Sequence, residues 1–97
     1  MKKEEMWKQY AWAIRGRQRR EVLKNLSERP ITAEEFRKEV NAKTSLKLSL
    51  REMSRHLTSF MKKGLVTCLS PEAPYGRPYV ITSKGKKLLE TIKKQNY

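Results

Sequence analysis

Ninety-seven residues suffice for one hydrophobic core and exclude a second of comparable size. Lysine and arginine number 23 against 10 acids, all glutamate, for a formal charge of +13. Charge of that size repels itself in a compact chain unless a polyanion neutralises it, which leaves nucleic acid or an anionic membrane surface as the partner.

The apolar spacing predicts a first helix over about residues 4–27, with a break at Gly16. Trp7, Tyr10, Ala11 and Ile14 form one stripe at helical spacing, and Val22, Leu23 and Leu26 form another. On a straight helix the two stripes point widely apart, so a single core cannot take both without a kink. The later stripe is expected to face the core. The earlier one, on an N-terminal helical arm of residues 1–17, is expected to face a second copy of the chain. Between them lies RGRQRR, residues 15–20, which reads equally as a solvated helix face or as a phosphate contact.

Pro30 and Ile31 end the helix and leave room for a very short strand. Thr32-Ala33-Glu34-Glu35 has the capping-box pattern, and Phe36 and Val40 are placed on the core face of the helix it starts. Residues 41–48 read as a loop, longer than a tight helix-turn-helix needs. Ser49-Leu50-Arg51-Glu52 repeats the capping box and opens another helix, which ends at Gly64 in a left-handed cap after Lys62 and Lys63. Two short strands, 65–70 and 78–82, flank PEAPYGR and form a hairpin with a long tip. Thr82 then caps a last helix carrying Leu88, Leu89 and Ile92.

On the helix after Ser49, Leu50, Met53, Leu57, Phe60 and Met61 fall within about 100° of one another, and that face is read as core. Arg51, Arg55, Thr58, Ser59 and Lys62 fall opposite. Residues 43–64 carry six basic side chains and one acid, Glu52, which the cap employs. A solvated face explains this pattern. So does a DNA major groove, which admits one helix and offers phosphates at its rims and hydrogen-bonding base edges on its floor.

The order helix, short strand, helix, helix, strand, hairpin tip, strand, helix resembles the winged helix-turn-helix domain. The resemblance is to ArsR-like and MarR-like transcription regulators, particularly small archaeal ones, over about residues 18–92. It rests on PITAEEF, SLREMSRHLTSFMKKGLV and CLSPEAPYGRPYVITSKGKKLL in succession. It implies a mainly α fold with a small β-hairpin wing, an α+β single domain of three core helices with N- and C-terminal helical extensions. It implies a reading helix at 49–63 in the major groove. Arg51, Ser54, Arg55 and Thr58 would lie nearest the bases, with Ser59 beside them on the same face. Lys62 and Lys63 would be peripheral. The wing, 70–78, would bring Tyr75, Gly76 and Arg77 to the backbone or minor groove, and Lys43 and Lys47 would approach the backbone from the loop.

The expected function is therefore sequence-specific binding of double-stranded DNA in transcription regulation. The alternatives are a winged-helix protein-interaction or RNA-binding module, and a chromatin-like protein that coats DNA regardless of sequence. A homodimer is expected, because symmetry supplies a second half-site. Trp7, Tyr10 and Ile14, with Leu88, Leu89 and Ile92, are its candidate contacts, and plain core packing is the competing role for all six, above all for the last three. Aspartate is absent, and the single His56 and single Cys68 have no metal-ligand or triad partners, so no enzyme, cofactor or metal site is expected. The same scarcity separates the chain from metal-sensing ArsR proteins. Cys68 is expected to be a small buried residue, and His56 a packing or hydrogen-bonding residue at the core boundary. One cysteine excludes an internal disulfide, and no apolar run has signal-peptide or membrane-spanning length. The expectation is a cytoplasmic, nucleoid-associated protein with no membrane partner and no small-molecule site.

Overall fold

The computed structural model describes residues 3–95, with side chains from residue 7 onward. Five helices, α1 Lys3–Arg15, α2 Arg17–Lys24, α3 Ala33–Lys43, α4 Leu50–Lys62 and α5 Ser83–Lys94, are combined with three short strands, β1 Ile31–Thr32, β2 Val66–Cys68 and β3 Pro78–Ile81. The fold is mostly helical with a small antiparallel sheet, in the order β1-β3-β2.

The expected break falls at Gly16, whose extended backbone (φ −106°, ψ 126°) separates α1 from α2. Its consequence differs from the expectation. The bend folds α1 back against the domain, so residues 3–15 are not a free arm. Ala13 is fully buried, and Tyr10, Trp12 and Ile14 pack against the core. Trp12 meets Phe60 edge-on at 6.0 Å, and Gln9 Nε2 donates to the Lys63 carbonyl at 3.2 Å. The second half of the predicted long helix also stops early, at Lys24 rather than near Ser27.

Both capping boxes form. Glu35 N–H donates to Thr32 Oγ1 and Thr32 N–H donates to Glu35 Oε1; Ser49 and Glu52 repeat the exchange. Each cap contributes about 1 kcal/mol by satisfying donors that a helix start leaves open. The backbone N–H of each cap residue also holds the Glu35 and Glu52 carboxyls below the usual carboxylate range.

The end of α4 is a Schellman turn. Gly64 N–H donates to Met61 O and Leu65 N–H donates to Phe60 O, both at 2.9 Å, with Gly64 at φ 76°. This turn delivers the chain into β2 over the buried pair Phe60 and Leu65. The strands are shorter than the predicted 65–70 and 78–82, because the chain outside them is committed elsewhere. Leu65 belongs to the Schellman turn, and Thr82 caps α5 by accepting from Gly85 N–H at 3.1 Å. Val66 pairs with Ile81 and Cys68 with Tyr79 in the β2–β3 ladder, and Ile31 pairs with Tyr79 across β1–β3. Pro78 begins β3, where a missing N–H is tolerated, and its carbonyl accepts from Leu69 N–H at 2.9 Å. Cys68 is half-buried rather than buried.

The core runs through every helix and strand. Val22, Leu23, Phe36, Val40, Leu48, Met53, Leu57, Phe60, Leu65 and Ile92 are at most 2% exposed. Leu88, Leu89 and Ile92 are core residues of α5, so burial within the chain removes them as dimer contacts. On α4 only Met53, Leu57 and Phe60 are buried. Leu50 and Met61, read from the wheel as core, are 47% and 36% exposed. The predicted apolar arc was too wide: its two edges extend past the surfaces that cover α4.

Candidate nucleic-acid interface

Burying Met53, Leu57 and Phe60 fixes the rotation of α4. The helix therefore turns Arg51, Ser54, Arg55, Thr58, Ser59 and Lys62 to the outside, where all six are exposed, and its C-cap Lys63 is exposed as well. Glu52, the one acid of the helix, is held by Ser49 and by Gln18 Nε2 at 3.4 Å. The ion pairs among the described residues lie elsewhere. They join Lys24 to Glu21, Arg29 to Glu39, Arg37 and Lys38 to Glu34, and Lys86 to Glu28. None involves a cation of α4, of residues 44–49 or of the hairpin. The acids thus pair with one cation on α2, two on α3, one on α5 and Arg29, and the cations on the outer face of α4 are without an ion-pair partner among the described residues.

Gln18 on α2 fixes this face in place. A carboxylate only accepts, so the Gln18 amide must give its NH2 to Glu52 and its oxygen to His56. His56 Nε2 then carries the proton and donates to Gln18 Oε1 at 2.7 Å. The ring lies stacked on Phe60 at 6.1 Å. His56 thus has the boundary role expected of it, whereas Gln18 carried no recognisable signal in the sequence.

Burial pushes the His56 imidazole below its ordinary value of 6.5, and the charges of Arg19 and Arg55 push the same way against Glu52. The unfolded chain therefore binds this proton more tightly than the folded one. Stability at this site is complete above pH 6.5 and is lost as pH falls through the lower folded value. Denaturant melts at pH 7.5 and pH 5 should show that loss, and His56→Gln should flatten it.

The RGRQRR segment is not one uniform solvated face. Arg19 Nη1 donates to Trp12 O at 2.6 Å, and Arg20 Nη1 donates to Ile14 O at 3.2 Å. These carbonyls belong to the last turn of α1, where no intrahelical donor reaches them and the helix dipole is negative. The Arg19 guanidinium also lies 4.3 Å from the Trp12 ring centroid, with Lys63 Nζ 5.2 Å from it. Arg15 and Arg17 remain exposed.

The hairpin tip between β2 and β3 is ordered by local hydrogen bonds, one backbone and one from a side chain. Ala73 N–H donates to Ser70 O, Arg77 Nε donates to Ala73 O, and Gly76 turns with φ 68°. Tyr75 projects from this tip at 85% exposure, and Arg77 keeps further N–H donors for an outside acceptor. The α4 residues therefore form one continuous face, while Tyr75 and Arg77 occupy a separate projection. Of the dimer candidates, Trp7 alone is largely exposed, at 63%. Tyr10 and Ile14 spend much of their surface on the chain's own core.

No described helix is long and apolar enough to cross a membrane, and the described residues contain no cluster of His, Cys or Glu able to hold a metal ion. Comparison with protein-family models, curated proteins and solved structures found no match to this chain.

Proposed function

We propose that the protein is a winged helix-turn-helix regulator that binds double-stranded DNA in a sequence-dependent way. In this reading α4 lies in the major groove and the 69–77 tip acts as the wing. The observation that carries it is the outer face of α4: arginine, serine, threonine and lysine, all exposed, with no acid pairing them among the described residues. A helix of 13 residues is about 20 Å long, and its diameter of about 10–12 Å matches the roughly 12 Å width of the major groove. Arg55, at the middle of the face, can give guanine two parallel hydrogen bonds. Arg51 reaches the same floor or the adjacent phosphates, and Ser54, Thr58 and Ser59 serve base edge or backbone. Lys62 and Lys63 meet phosphate at the far end of the helix. Arg77 does so from the wing, with Tyr75 beside it.

Replacing Arg55 with alanine should weaken binding to the preferred duplex by about 1–3 kcal/mol and relax base preference. The preferred duplex is found by selection from a random pool. A palindromic product adds two half-sites and a second copy to the reading. Unchanged affinity and unchanged preference in the Arg55→Ala titration would overturn it.

A further inference from the structure

Residues 44–48, between α3 and α4, form an ordered connector. Thr44 leaves α3 in extended conformation, at φ −130° and ψ 173°. From there the side chains alternate. Thr44, Leu46 and Leu48 turn inward, and Ser45 and Lys47 turn outward. Leu48 is buried and Leu46 packs on the core. Polar bonds lock the same segment. Asn41 binds both backbone groups of Leu48, accepting from its N–H at 2.9 Å and donating to its carbonyl at 3.0 Å. Thr44 Oγ1 donates to Val40 O and accepts from Leu46 N–H.

Across from this connector stands the start of α2. Arg17 Nη2 donates to Ser45 Oγ at 2.7 Å, so two elements 28 residues apart present a guanidinium and a hydroxyl side by side. Ser45 accepts through its oxygen and keeps its own proton to donate, and Arg17 keeps four further N–H donors. Lys47, two positions after Ser45, is exposed and takes part in no hydrogen bond or ion pair among the described residues. No acid occurs from residue 40 to residue 51.

We propose that Arg17, Ser45 and Lys47 form a preorganised anchor for the phosphodiester backbone of duplex DNA, at the groove rim beside the N-terminal end of α4. The inference rests on α4 being the groove-binding helix. Arg17 meets Ser45, and Ser45 and Lys47 share the outward side of the connector that leads into Ser49, so an anion bound there would set how deeply and at what register α4 enters the groove. The chemistry is that of charge-assisted hydrogen bonds to a phosphate oxygen, which position a protein without reading sequence. A rigid connector loses little entropy on engaging the backbone, which a floppy basic loop of the same composition does not achieve.

The test measures affinity of the full chain for its selected duplex across a salt series. Arg17→Gln and Lys47→Gln are compared with Lys38→Gln, which removes one charge from α3, where Lys38 lies 4.0 Å from Glu34. The first two should each weaken binding about five- to tenfold at low salt. Each should also reduce the slope of log affinity against log salt by about 0.9, with base preference unchanged. Lys38→Gln should leave the slope alone. Slopes equal to wild type for Arg17→Gln and Lys47→Gln, or an equal loss in Lys38→Gln, overturn the anchor while leaving α4 as the reading helix. A wild-type chain that binds no duplex overturns both. Arg17→Gln removes a contact that helps hold the connector, so Lys47→Gln, which removes none, carries the result if the first variant loses stability.

Discussion

Duplex affinity is expected to fall about a thousandfold or more between roughly 50 and 200 mM salt. The reason is counterion release: each phosphate neutralised by a lysine or arginine frees a condensed cation, and the gain from freeing it shrinks as bulk salt rises. The proposed surface offers Arg51, Arg55, Lys62 and Lys63 on α4, Arg17, Lys43 and Lys47 around the connector, and Arg77 on the wing. If roughly six to ten phosphates are engaged, a loss of that size follows. Anisotropy titrations at four or more salt concentrations read the slope directly. A flat response would mean that these cations meet no polyanion, and the functional reading would fall with it. A steep slope with no preference among duplexes would instead identify a protein that coats DNA regardless of sequence.

Gly85→Ala should destabilise the fold by about 3 kcal/mol, although helix propensity argues the other way. Gly85 lies in the first turn of α5 with no left-handed backbone to demand glycine, and alanine there should gain up to about 1 kcal/mol from propensity alone. Packing reverses the sign. A Cβ at this position would sit 2.3 Å from the Leu65 carbonyl oxygen, 2.7 Å from Ile81 Cγ1 and 3.1 Å from the Leu65 carbonyl carbon. The Leu65 backbone has little freedom to retreat. Its N–H is bound to Phe60 O in the Schellman turn, and its carbonyl accepts from Thr82 N–H at 2.9 Å. Thr82 Oγ1 donates to Gly64 O at 2.6 Å and ties the same corner again. A loss of that size lowers the melting temperature by on the order of 15 °C in a domain of this length. Gly16→Ala, where a Cβ meets nothing nearer than Arg19 Cβ at 3.7 Å, should change stability by less than about 1 kcal/mol. A Gly85→Ala protein that melts with wild type would show that α5 does not seat this closely on the α4–β2 corner.

The glycine in SKGKK shows why a local reading falls short. In the sequence it is a weak spot in a helix; in the fold it is the point where a helix meets a carbonyl from twenty residues earlier. RGRQRR behaves in the same way. Its arginines look alike along the chain, yet Arg19 and Arg20 close the end of α1, Arg17 reaches Ser45, and Gln18 among them holds both Glu52 and His56. The apolar stripe of Leu88, Leu89 and Ile92 was visible as a stripe, but whether a partner or the chain itself covers it depends on which surfaces lie opposite.

The features that amino-acid order alone determined are those whose partners lie within about one turn of chain: the two capping boxes, the break at Gly16, the left-handed turn at Gly64 and the Thr82 cap. Their hydrogen bonds join residues a few positions apart, so steric and donor–acceptor rules act before any tertiary contact exists. The outward placement of Arg51 and Arg55 also belongs here, because Met53, Leu57 and Phe60 set the rotation of α4 through helical period. Tertiary structure alone decided that α1 packs on its own domain, that Leu50 and Met61 lie outside the covered arc, and that Asn41 and Arg17 turn residues 44–48 into a braced edge. Each of these depends on surfaces and polar groups brought together from distant parts of the chain, and no spacing rule within one segment encodes which distant group arrives.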